Sequence, residues 1–425
     1  MILINHIRQI VCISDSYQSF KIGTDMSNLH IIEDGAIIIQ GERIYELGSS
    51  NDILSHYSPD NFTEIYDASD MCLIPGLVDA HTHVVFSGDR VHEFAMKLEG
   101  KSYMEIQAAG GGITFTTSHV RESSEEELYN LLIPRLDRML AFGTTLAEAK
   151  SGYGLELDSE VKMLKVIKKA NEEHTIDLVA TYLPGHAVNP GKTAQEMVDD
   201  IVNHQIPVIK QLKDNGEINP EMIDVFCEKN VYEIEETKAI LEAGKRIGLE
   251  ANFHGEEIEY LESGVLAASV KARAMSHLEN LSEQAIPLMA EAGVIGVLLP
   301  TTQYLLHLKT PPARSMIANG VPVAIGTDFN PNMWCLSMPL AMHMACVNYR
   351  LSMAEALVAS TLNAAASMGR SQEYGSIEPR KYADLVFIKA ERWEHLIYQM
   401  ADPPIAAVWK KGKIVIDKYD RFRLK

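Results

Sequence analysis

Two histidines spaced two positions apart are the first residues of this sequence whose types and spacing could do chemistry. His81 and His83 end an apolar, strand-like run that begins at Leu73 and reads Pro75-Gly76-Leu77-Val78-Asp79 just before them. On a strand, side chains two positions apart point to the same side, so the two imidazoles would lie together. Imidazole nitrogens are common ligands of zinc and iron, so this spacing indicates a metal site, although two surface histidines in a loop would also fit.

Polar side chains recur where other strand-like runs end. His254 and His277 each close such a run, and Asp328 directly follows another. Each residue alone has an ordinary explanation, either a hydrogen-bonded core histidine or a capping carboxylate. If these ends converge with His81 and His83 on one face, then His81, His83, His254 and Asp328 form a set of three nitrogens and one oxygen. That set suits zinc or iron and leaves room for a water molecule.

Eight apolar runs alternate with helix-length segments through the middle of the chain. The runs are Leu73 to His83, Gly143 to Lys150, Asp177 to Leu183, Ile223 to Cys227, Leu249 to His254, Arg273 to His277, Val294 to Leu299 and Val321 to Thr327. This alternation predicts an α/β fold, a (β/α)₈ TIM barrel, in which reactive side chains lie at the C-terminal ends of the strands.

The two chain ends predict β structure outside the barrel. Short β-branched runs broken by glycine occur at Ala36–Gln40, Arg43–Gly48, Ala383–Ile388, Ala407–Lys410 and Lys413–Ile416. Such runs are hairpin signals, and strands from both ends could pair with each other. We therefore expect a small composite β-sandwich domain from residues 1–72 and 368–425, and a catalytic barrel domain over residues 73–367.

Composition and charge narrow the class of protein. The chain has 425 residues, 46% of them hydrophobic, and a formal net charge of −20. Nucleic-acid-binding proteins carry basic patches, so this charge argues against a nucleic-acid partner. No apolar stretch approaches the length of about 20 residues that spans a bilayer, so we expect no membrane partner. The five cysteines form no C-x-x-C pair, which favours a reducing, cytoplasmic setting.

Several longer motifs carry a resemblance to a known family. Pro-Gly-x-Val-Asp-x-His-x-His, the histidine ending the fifth run and the aspartate after the eighth resemble the amidohydrolase superfamily. The sequence is further similar to the imidazolonepropionase family from about Val11 to the C-terminus. The stretches that carry this similarity are Lys97 to Tyr103, Ala109 to Ile113, Lys150 to Leu155, His186-Ala187, Val297 to Thr302, and Asp328 to Pro331.

The resemblance implies a reaction and a set of site residues. The family hydrolyses 4-imidazolone-5-propanoate, a small-molecule substrate, to N-formimidoyl-L-glutamate in histidine degradation, and its members are homodimers. Carried over by motif, the ligands of one Zn²⁺ or Fe³⁺ per subunit would be His81, His83, His254 and Asp328. Substrate contacts would include Arg90, Tyr103, Tyr153, His186, Glu257 and Asn330. Glu257, His277 and Asp328 would serve the chemistry.

The resemblance also suggests how these residues would act. Binuclear relatives carry a carbamylated lysine on the fourth strand, and the run Ile223 to Cys227 has none, which indicates one metal. Asp328 or Glu257 could deliver a proton to the leaving ring nitrogen, and His277 could donate to the carbonyl oxygen. Arg90 could hold the propionate through a bidentate pair.

Two other functions use the same features. A deaminase of a nitrogen heterocycle would need the same barrel and ligands, and the segments around Arg90 and Tyr153 favour the imidazolone over it. A barrel that has lost catalysis and serves as a scaffold would be expected to lack metal ligands, and all four are present. The choice between zinc and iron stays open.

Overall fold

The computed structural model describes residues 1–101, 105–106, 109–420 and 422, and these residues form two sheets of eight strands each. The N-terminal strands are β1 (Ile2–Val11), β2 (Ile31–Gln40), β3 (Arg43–Ser49), β4 (Glu64–Asp67) and β5 (Cys72–Pro75). The central strands are β6 (Leu77–Asp79), β7 (Thr144–Lys150), β8 (Asp177–Gly185), β9 (Met222–Cys227), β10 (Glu250–Gly255), β11 (Ala274–His277), β12 (Ile295–Leu298) and β13 (Val323–Ile325). The last strands are β14 (Leu385–Ile388), β15 (Ile405–Lys410) and β16 (Lys413–Asp417).

The eight central strands confirm the predicted barrel. Strands β6 to β13 pair in chain order, each parallel to the next. Beyond the strand ends, a bridge joins Thr82 to Phe329, where the His83 amide donates to the Phe329 carbonyl at 2.9 Å. The Asp79 carboxylate ties β6 to β13 as well, because it accepts from the Thr327 amide at 2.9 Å and from its hydroxyl at 2.6 Å. The barrel therefore closes at the end where the predicted site residues lie.

Helices connect the barrel strands and pack around them. They span Val91–Leu98, Ile113–Glu122, Glu125–Ala141, Leu157–Glu173, Ala194–Asp200, Ile206–Asp214, Ile234–Arg246, Ser263–Ser269, Ala285–Ala292, Pro300–Leu306, Ala313–Ala318, Met338–Tyr349, Met353–Ala359 and Leu362–Ser367. A capping box starts the helix Glu125–Ala141: the Ser124 hydroxyl accepts from the Glu127 amide, and the Glu127 carboxylate accepts from the Ser124 amide. Two short helices, Ser50–His56 and His395–Tyr398, lie in the terminal segments.

Strands from both chain ends build the second sheet, as predicted. Its order is β16-β15-β14-β5-β1-β2-β3, with β4 also beside β1. A register shift between Ile4 and Ile7 divides β1 into a half that pairs with β4 and a half that pairs with β5. The sheet has a hydrophobic core cluster of its own, where the Tyr66 ring meets the Trp409 ring edge-on at 5.5 Å between centroids. Strands from the two chain ends thus form one continuous mixed sheet.

The first predicted barrel strand, Leu73 to His83, divides at Gly76. Residues before Gly76 belong to β5 of the terminal sheet, and residues after it belong to β6 of the barrel. A Cβ at position 76 would lie 2.2 Å from the Thr145 hydroxyl oxygen, so only glycine permits this close approach. The chain thus passes from one sheet into the other within one residue.

Candidate active site

The strand ends bring three imidazoles and one carboxylate to a common centre. His83 Nε2 lies 3.3 Å from His81 Nε2 and 3.1 Å from His254 Nε2. Asp328 Oδ1 lies 3.5 Å from His81 Nε2 and 3.6 Å from His83 Nε2. All four side chains are buried. The histidine spacing and the converging strand ends therefore bring together the four residues predicted as metal ligands.

The outer contacts of these residues decide which atoms face the centre. His254 Nδ1 lies 2.9 Å from Asp224 Oδ1, and because an ionised carboxylate only accepts, the Nδ1 of His254 carries a hydrogen. His81 Nδ1 lies 2.9 Å from the Ser276 hydroxyl. The Thr302 hydroxyl donates to Asp328 Oδ2, whereas Asp328 Oδ1 has no hydrogen-bond partner among the described residues. A cation at the centre would fit these atoms, since it would satisfy the Asp328 oxygen and the inward-facing nitrogens.

Burial sets the protonation of these groups. It lowers the pKa of His81 well below its usual value, and the Lys150 cation lowers it further. Burial likewise lowers the pKa of His83, with His186 adding to the effect. His81 and His83 are therefore held neutral, which is the form that binds metals. Burial has the opposite effect on the carboxyl group of Glu257, whose pKa lies well above its usual value.

A cavity of about 650 Å³ opens onto this centre. Its volume is in the range that binds small molecules. Most of the predicted site residues line it, together with some that were not predicted: His83, Arg90, Lys97, Tyr153, His186, Phe226, His254, Glu257, His277, Thr302, Asp328, Asn330 and Asn332. Tyr103, predicted as a substrate contact, lies outside the described residues.

Glu257 and His277 form a buried pair in the cavity wall. Glu257 Oε2 lies 3.5 Å from His277 Nε2. The His277 ring also lies beside the His254 ring, with 5.2 Å between centroids. Glu257, one of the two groups predicted for proton transfer, and His277, predicted as a donor to the carbonyl oxygen, therefore share a wall with the candidate metal ligands.

His186 and Tyr153 present flat rings near the same centre. The His186 ring stacks on His83 at 4.7 Å between centroids and 12° between planes. Its Nδ1 lies 3.0 Å from the Gly152 carbonyl, and the Tyr153 ring lies 5.1 Å from the His186 ring. Gly152 has a φ of +106°, and a Cβ there would meet Leu183 at 2.7 Å. Glycine at this position therefore permits the turn that places Tyr153 and His186 side by side.

Arg90 and Lys97 supply positive charge to the cavity. Arg90 Nη2 lies 2.6 Å from Glu93 Oε2, and Glu93 Oε1 accepts from the Gly112 amide at 2.8 Å. The charge of Arg90 is thus balanced by Glu93. Lys97, which the sequence reasoning missed, donates to Asn332 Oδ1, and burial together with the nearby Arg90 lowers its pKa to about 8.

Asn330 borders the cavity, but its amide group also organises its own loop. Its Nδ2 donates to the Asp328 carbonyl at 2.8 Å. Its Oδ1 accepts from the amides of Asn332 at 2.8 Å and of Met333 at 3.0 Å. The side chain therefore holds the loop after β13 in shape where we expected a substrate contact, and a substrate role for it stays a prediction.

Three of the strand ends that carry site residues have unusual backbone conformations. Glu256, His277 and Asp328 have φ values of +57°, +80° and +48°. Residues other than glycine rarely adopt this left-handed region, and such positions cluster at functional sites. The surrounding structure therefore holds these residues in conformations that the chain alone would avoid.

A buried charge cluster beneath the histidines was also missed. It consists of Glu148 and Lys150 on β7 and Asp224 on β9, and all three side chains are fully buried. Glu148 and Lys150 are two positions apart on a buried strand, so both point into the barrel. That alternation of charged residues within an apolar run was the available signal.

A comparison with protein families identifies the class to which this barrel and the site at its mouth belong. The family model described as "Amidohydrolase family" matches residues 72–415. The chain belongs to the amidohydrolase family.

Curated relatives narrow the identification. The chain is 54% identical to a probable imidazolonepropionase of Dictyostelium discoideum, over 97% of each chain. It is 51% identical to one of Nematostella vectensis, over 98% of this chain and 99% of the relative. It is 48% identical to one of Homo sapiens, over 97% of this chain and 98% of the relative. Within the amidohydrolases, this chain therefore groups with the imidazolonepropionases.

Solved structures with low sequence identity share the fold. A triazine hydrolase variant superposes with a TM-score of 0.74 at 18% identity, over 98% of this chain and 94% of that one. An adenosine deaminase from Xanthomonas campestris with bound zinc has a TM-score of 0.69 at 18% identity, over 100% of this chain and 94% of that one.

Over the described residues, no helix has the length and apolar character that crossing a membrane requires.

Proposed function

We propose that this chain hydrolyses the cyclic amide C–N bond of 4-imidazolone-5-propanoate and produces N-formimidoyl-L-glutamate, the third step of histidine degradation. The near full-length similarity to probable imidazolonepropionases supports the reaction. The observation in the structure that carries it is that one cavity has in its wall a candidate cation-binding centre, a Glu–His pair and three side-chain cations, Arg90, Lys97 and Lys101. The cation centre suits the ring carbonyl, the Glu–His pair suits proton transfer to the leaving nitrogen, and the side-chain cations suit the carboxylate of the propionate.

We propose that His81, His83, His254 and Asp328 hold one zinc or iron ion per subunit. The inward-facing Nε2 atoms and the unsatisfied Asp328 Oδ1 fit such an ion. When bound, the ion would polarise the substrate carbonyl and make its water molecule acidic enough to react near neutral pH. Thr302 holds the second oxygen of Asp328 and thereby fixes the direction of the first.

Glu257 then transfers a proton, and His277 stabilises the negative charge that develops on the carbonyl oxygen. As the oxygen of a water molecule bonds to the ring carbonyl carbon, the C–N bond breaks. Glu257, whose pKa burial raises, can give its proton to the leaving ring nitrogen and regain a proton from the one that the water loses. Asp328 is the alternative group for this step. His277 Nε2 can donate to the carbonyl oxygen as negative charge forms there, and its distance of 3.5 Å from Glu257 Oε2 puts both groups on one side of the cavity.

Arg90 and Lys97 hold the propionate end. The pair of Arg90 with Glu93 is nearly neutral, so Lys97, together with the exposed Lys101, gives this region its net positive charge. Arg90 keeps donors for a bidentate pair with a carboxylate, because its Nε is buried without a hydrogen-bond partner among the described residues. Tyr153 and His186 offer ring faces to the flat substrate. We also assign Tyr103 and Asn330 as substrate contacts.

The test is an assay of freshly generated 4-imidazolone-5-propanoate, followed by its ultraviolet absorbance and by mass spectrometry of the product. We expect loss of absorbance with formation of N-formimidoyl-L-glutamate, and a loss about 10²- to 10⁴-fold slower with the Glu257→Gln variant at equal metal content. Inert wild-type protein of full metal content would contradict the assignment. Ammonia release from cytosine, guanine or adenosine by the same protein would instead identify a deaminase.

We further propose a cytoplasmic homodimer. All five cysteines are free thiols and four of them are buried, which suits a reducing compartment. Sedimentation equilibrium should give twice the mass of the chain, and a monomer mass at micromolar concentration would contradict the dimer.

A further inference from the structure

Three charged side chains are sealed inside the barrel below the candidate metal centre. Lys150 Nζ lies 2.8 Å from Glu148 Oε1 and 2.7 Å from Asp224 Oδ2. All three side chains have no exposed surface. Nothing in the proposed reaction uses them directly.

Burial of these charges is expensive, so their partners matter. Taking an ion out of water costs several kcal/mol unless hydrogen bonds and opposite charges compensate. Here Glu148 Oε1 also accepts from the Thr181 hydroxyl at 2.6 Å and from Asn252 Nδ2 at 2.9 Å. The interiors of such barrels are normally filled with branched apolar side chains, which would avoid this cost. A role beyond packing would account for the charges.

The cluster leads to one candidate metal ligand. One oxygen of Asp224, Oδ2, contacts Lys150. The other, Oδ1, accepts from His254 Nδ1 at 2.9 Å and from the backbone amide of His254 at 3.1 Å. Two contacts to the same residue fix both the ring and the strand end that carries it.

We propose that Asp224 is a positioning residue that fixes the Nδ1–H tautomer of His254 and so directs Nε2 at the metal centre, while Lys150 and Glu148 hold Asp224 in place. This inference rests on the proposed metal centre. It implies that His254 is oriented before a metal arrives, so that binding does not have to order it. Outer partners of metal-bound histidines typically change metal affinity by about 10- to 100-fold.

Metal affinity of the Asp224→Asn variant tests the proposal. Asparagine keeps the shape of the side chain but removes the charge that Lys150 holds. Chelator competition with Zn²⁺ should show affinity about 10- to 100-fold weaker than in the wild type, and the absorption bands of the Co²⁺-loaded variant should shift. Unfolding of the metal-free proteins is measured in parallel, because a purely structural role would change stability alone.

Asp384→Asn is the matched control. It breaks another buried lysine–carboxylate contact, between Asp384 and Lys410 at the terminal sheet. Wild-type metal affinity in this control, with weakened affinity in Asp224→Asn, would support the proposal. Affinity within twofold of the wild type in Asp224→Asn, or equal losses in both variants, would overturn it.

A measurement on the wild type keeps the proposal testable if Asp224→Asn does not fold. Nitrogen-15 NMR of histidine-labelled, metal-free protein at mildly alkaline pH reports which ring nitrogen of His254 carries the hydrogen. We expect a protonated Nδ1, and a protonated Nε2 with a bare Nδ1 would overturn the inference. Because this measurement needs no metal, its outcome is separate from that of the proposed function, which fails if the wild type binds no metal.

Discussion

Two buried lysines each lie between two carboxylates, at opposite ends of the barrel strands. Lys150, at the end of β7, contacts Glu148 and Asp224 inside the barrel. Lys410, on β15 of the terminal sheet, lies 2.6 Å from Asp177 at the start of β8 and also contacts Asp384. The chemistry of the two clusters is the same, and their surroundings differ.

The difference lies in what each cluster holds. In the cluster of Glu148, Lys150 and Asp224, one oxygen of Asp224 contacts Lys150 and the other accepts a hydrogen bond from His254 at the cavity. This cluster therefore contacts a candidate metal ligand. Asp177 instead accepts from the Tyr374 hydroxyl at 2.7 Å and from Lys411 Nζ at 2.9 Å, which ties the barrel to the terminal sheet. The C-terminal ends of barrel strands carry function and the N-terminal ends carry stability, as is usual for this architecture.

The largest effect is expected from the cavity side, for Glu257→Gln. The variant cannot move the proton, so turnover should fall by about 10²- to 10⁴-fold. Metal content should stay that of the wild type, because Glu257 is not a proposed ligand. Near-normal turnover would remove Glu257 from the reaction and leave Asp328 as the group that moves the proton.

The next largest effect is expected at the terminal sheet, for Asp384→Asn. It removes a charge-assisted contact with Lys410, so the free energy of unfolding should fall by about 1.5–3 kcal/mol. Turnover per folded molecule should not change. Denaturant unfolding and the substrate assay together check this, and a loss of turnover without loss of stability would break the distinction between the two clusters.

Lys97→Gln should have a smaller effect, confined to binding. Removing the surplus cation should raise KM about tenfold, which corresponds to about 1.4 kcal/mol, with little change in kcat. Lys97→Arg keeps the charge and should retain most of the affinity. A KM that is the same for both variants and the wild type would show that Arg90 alone binds the carboxylate.

The smallest effect concerns stability in acid. Burial raises the pKa of Asp177, but Lys410, Lys411 and Tyr374 outweigh it, so the folded-state pKa lies below the unfolded value. Its contribution is therefore present above the unfolded pKa of about 3.9 and is lost as the pH falls through the folded pKa. In Asp177→Asn, the free energy of unfolding should fall less steeply as the pH decreases, and the difference from the wild type should be less than about 1 kcal/mol. An unchanged acid profile would show that other carboxylates dominate.

Local sequence pattern predicted the barrel and the four residues of the candidate metal centre, whereas the other cavity residues were predicted from the family resemblance. Apolar runs of strand length mark the barrel strands, and the two-residue spacing of His81 and His83 puts them on one side. The break at Gly76 was missed because Leu73 to His83 was interpreted as one strand, although Pro75 and Gly76 interrupt its apolar residues, and the need for glycine is visible only from its approach to Thr145.

The buried charge cluster of Glu148, Lys150 and Asp224 could not be predicted because its contacts join different strands. Glu148 and Lys150 are visible as charges in an apolar run, yet their partner Asp224 lies 74 positions beyond Lys150 along the chain. The role of Lys97 as a surplus cation in the cavity could not be predicted for a similar reason, because it follows only from the contact in which Glu93 balances the charge of Arg90. The strands that pair with the two halves of β1 in the terminal sheet were not predicted either, because strand composition does not specify pairing partners.

The central claim, one metal ion held by His81, His83, His254 and Asp328 for hydrolysis of 4-imidazolone-5-propanoate, is tested most directly by titrating metal-free protein. Zn²⁺ or iron is added in steps, and turnover and bound metal are measured at each step. We expect turnover to rise in proportion to bound metal and to level off at one ion per chain, with His254→Ala gaining neither. Full turnover in the metal-free protein, or a plateau only at two ions per chain, would contradict the account.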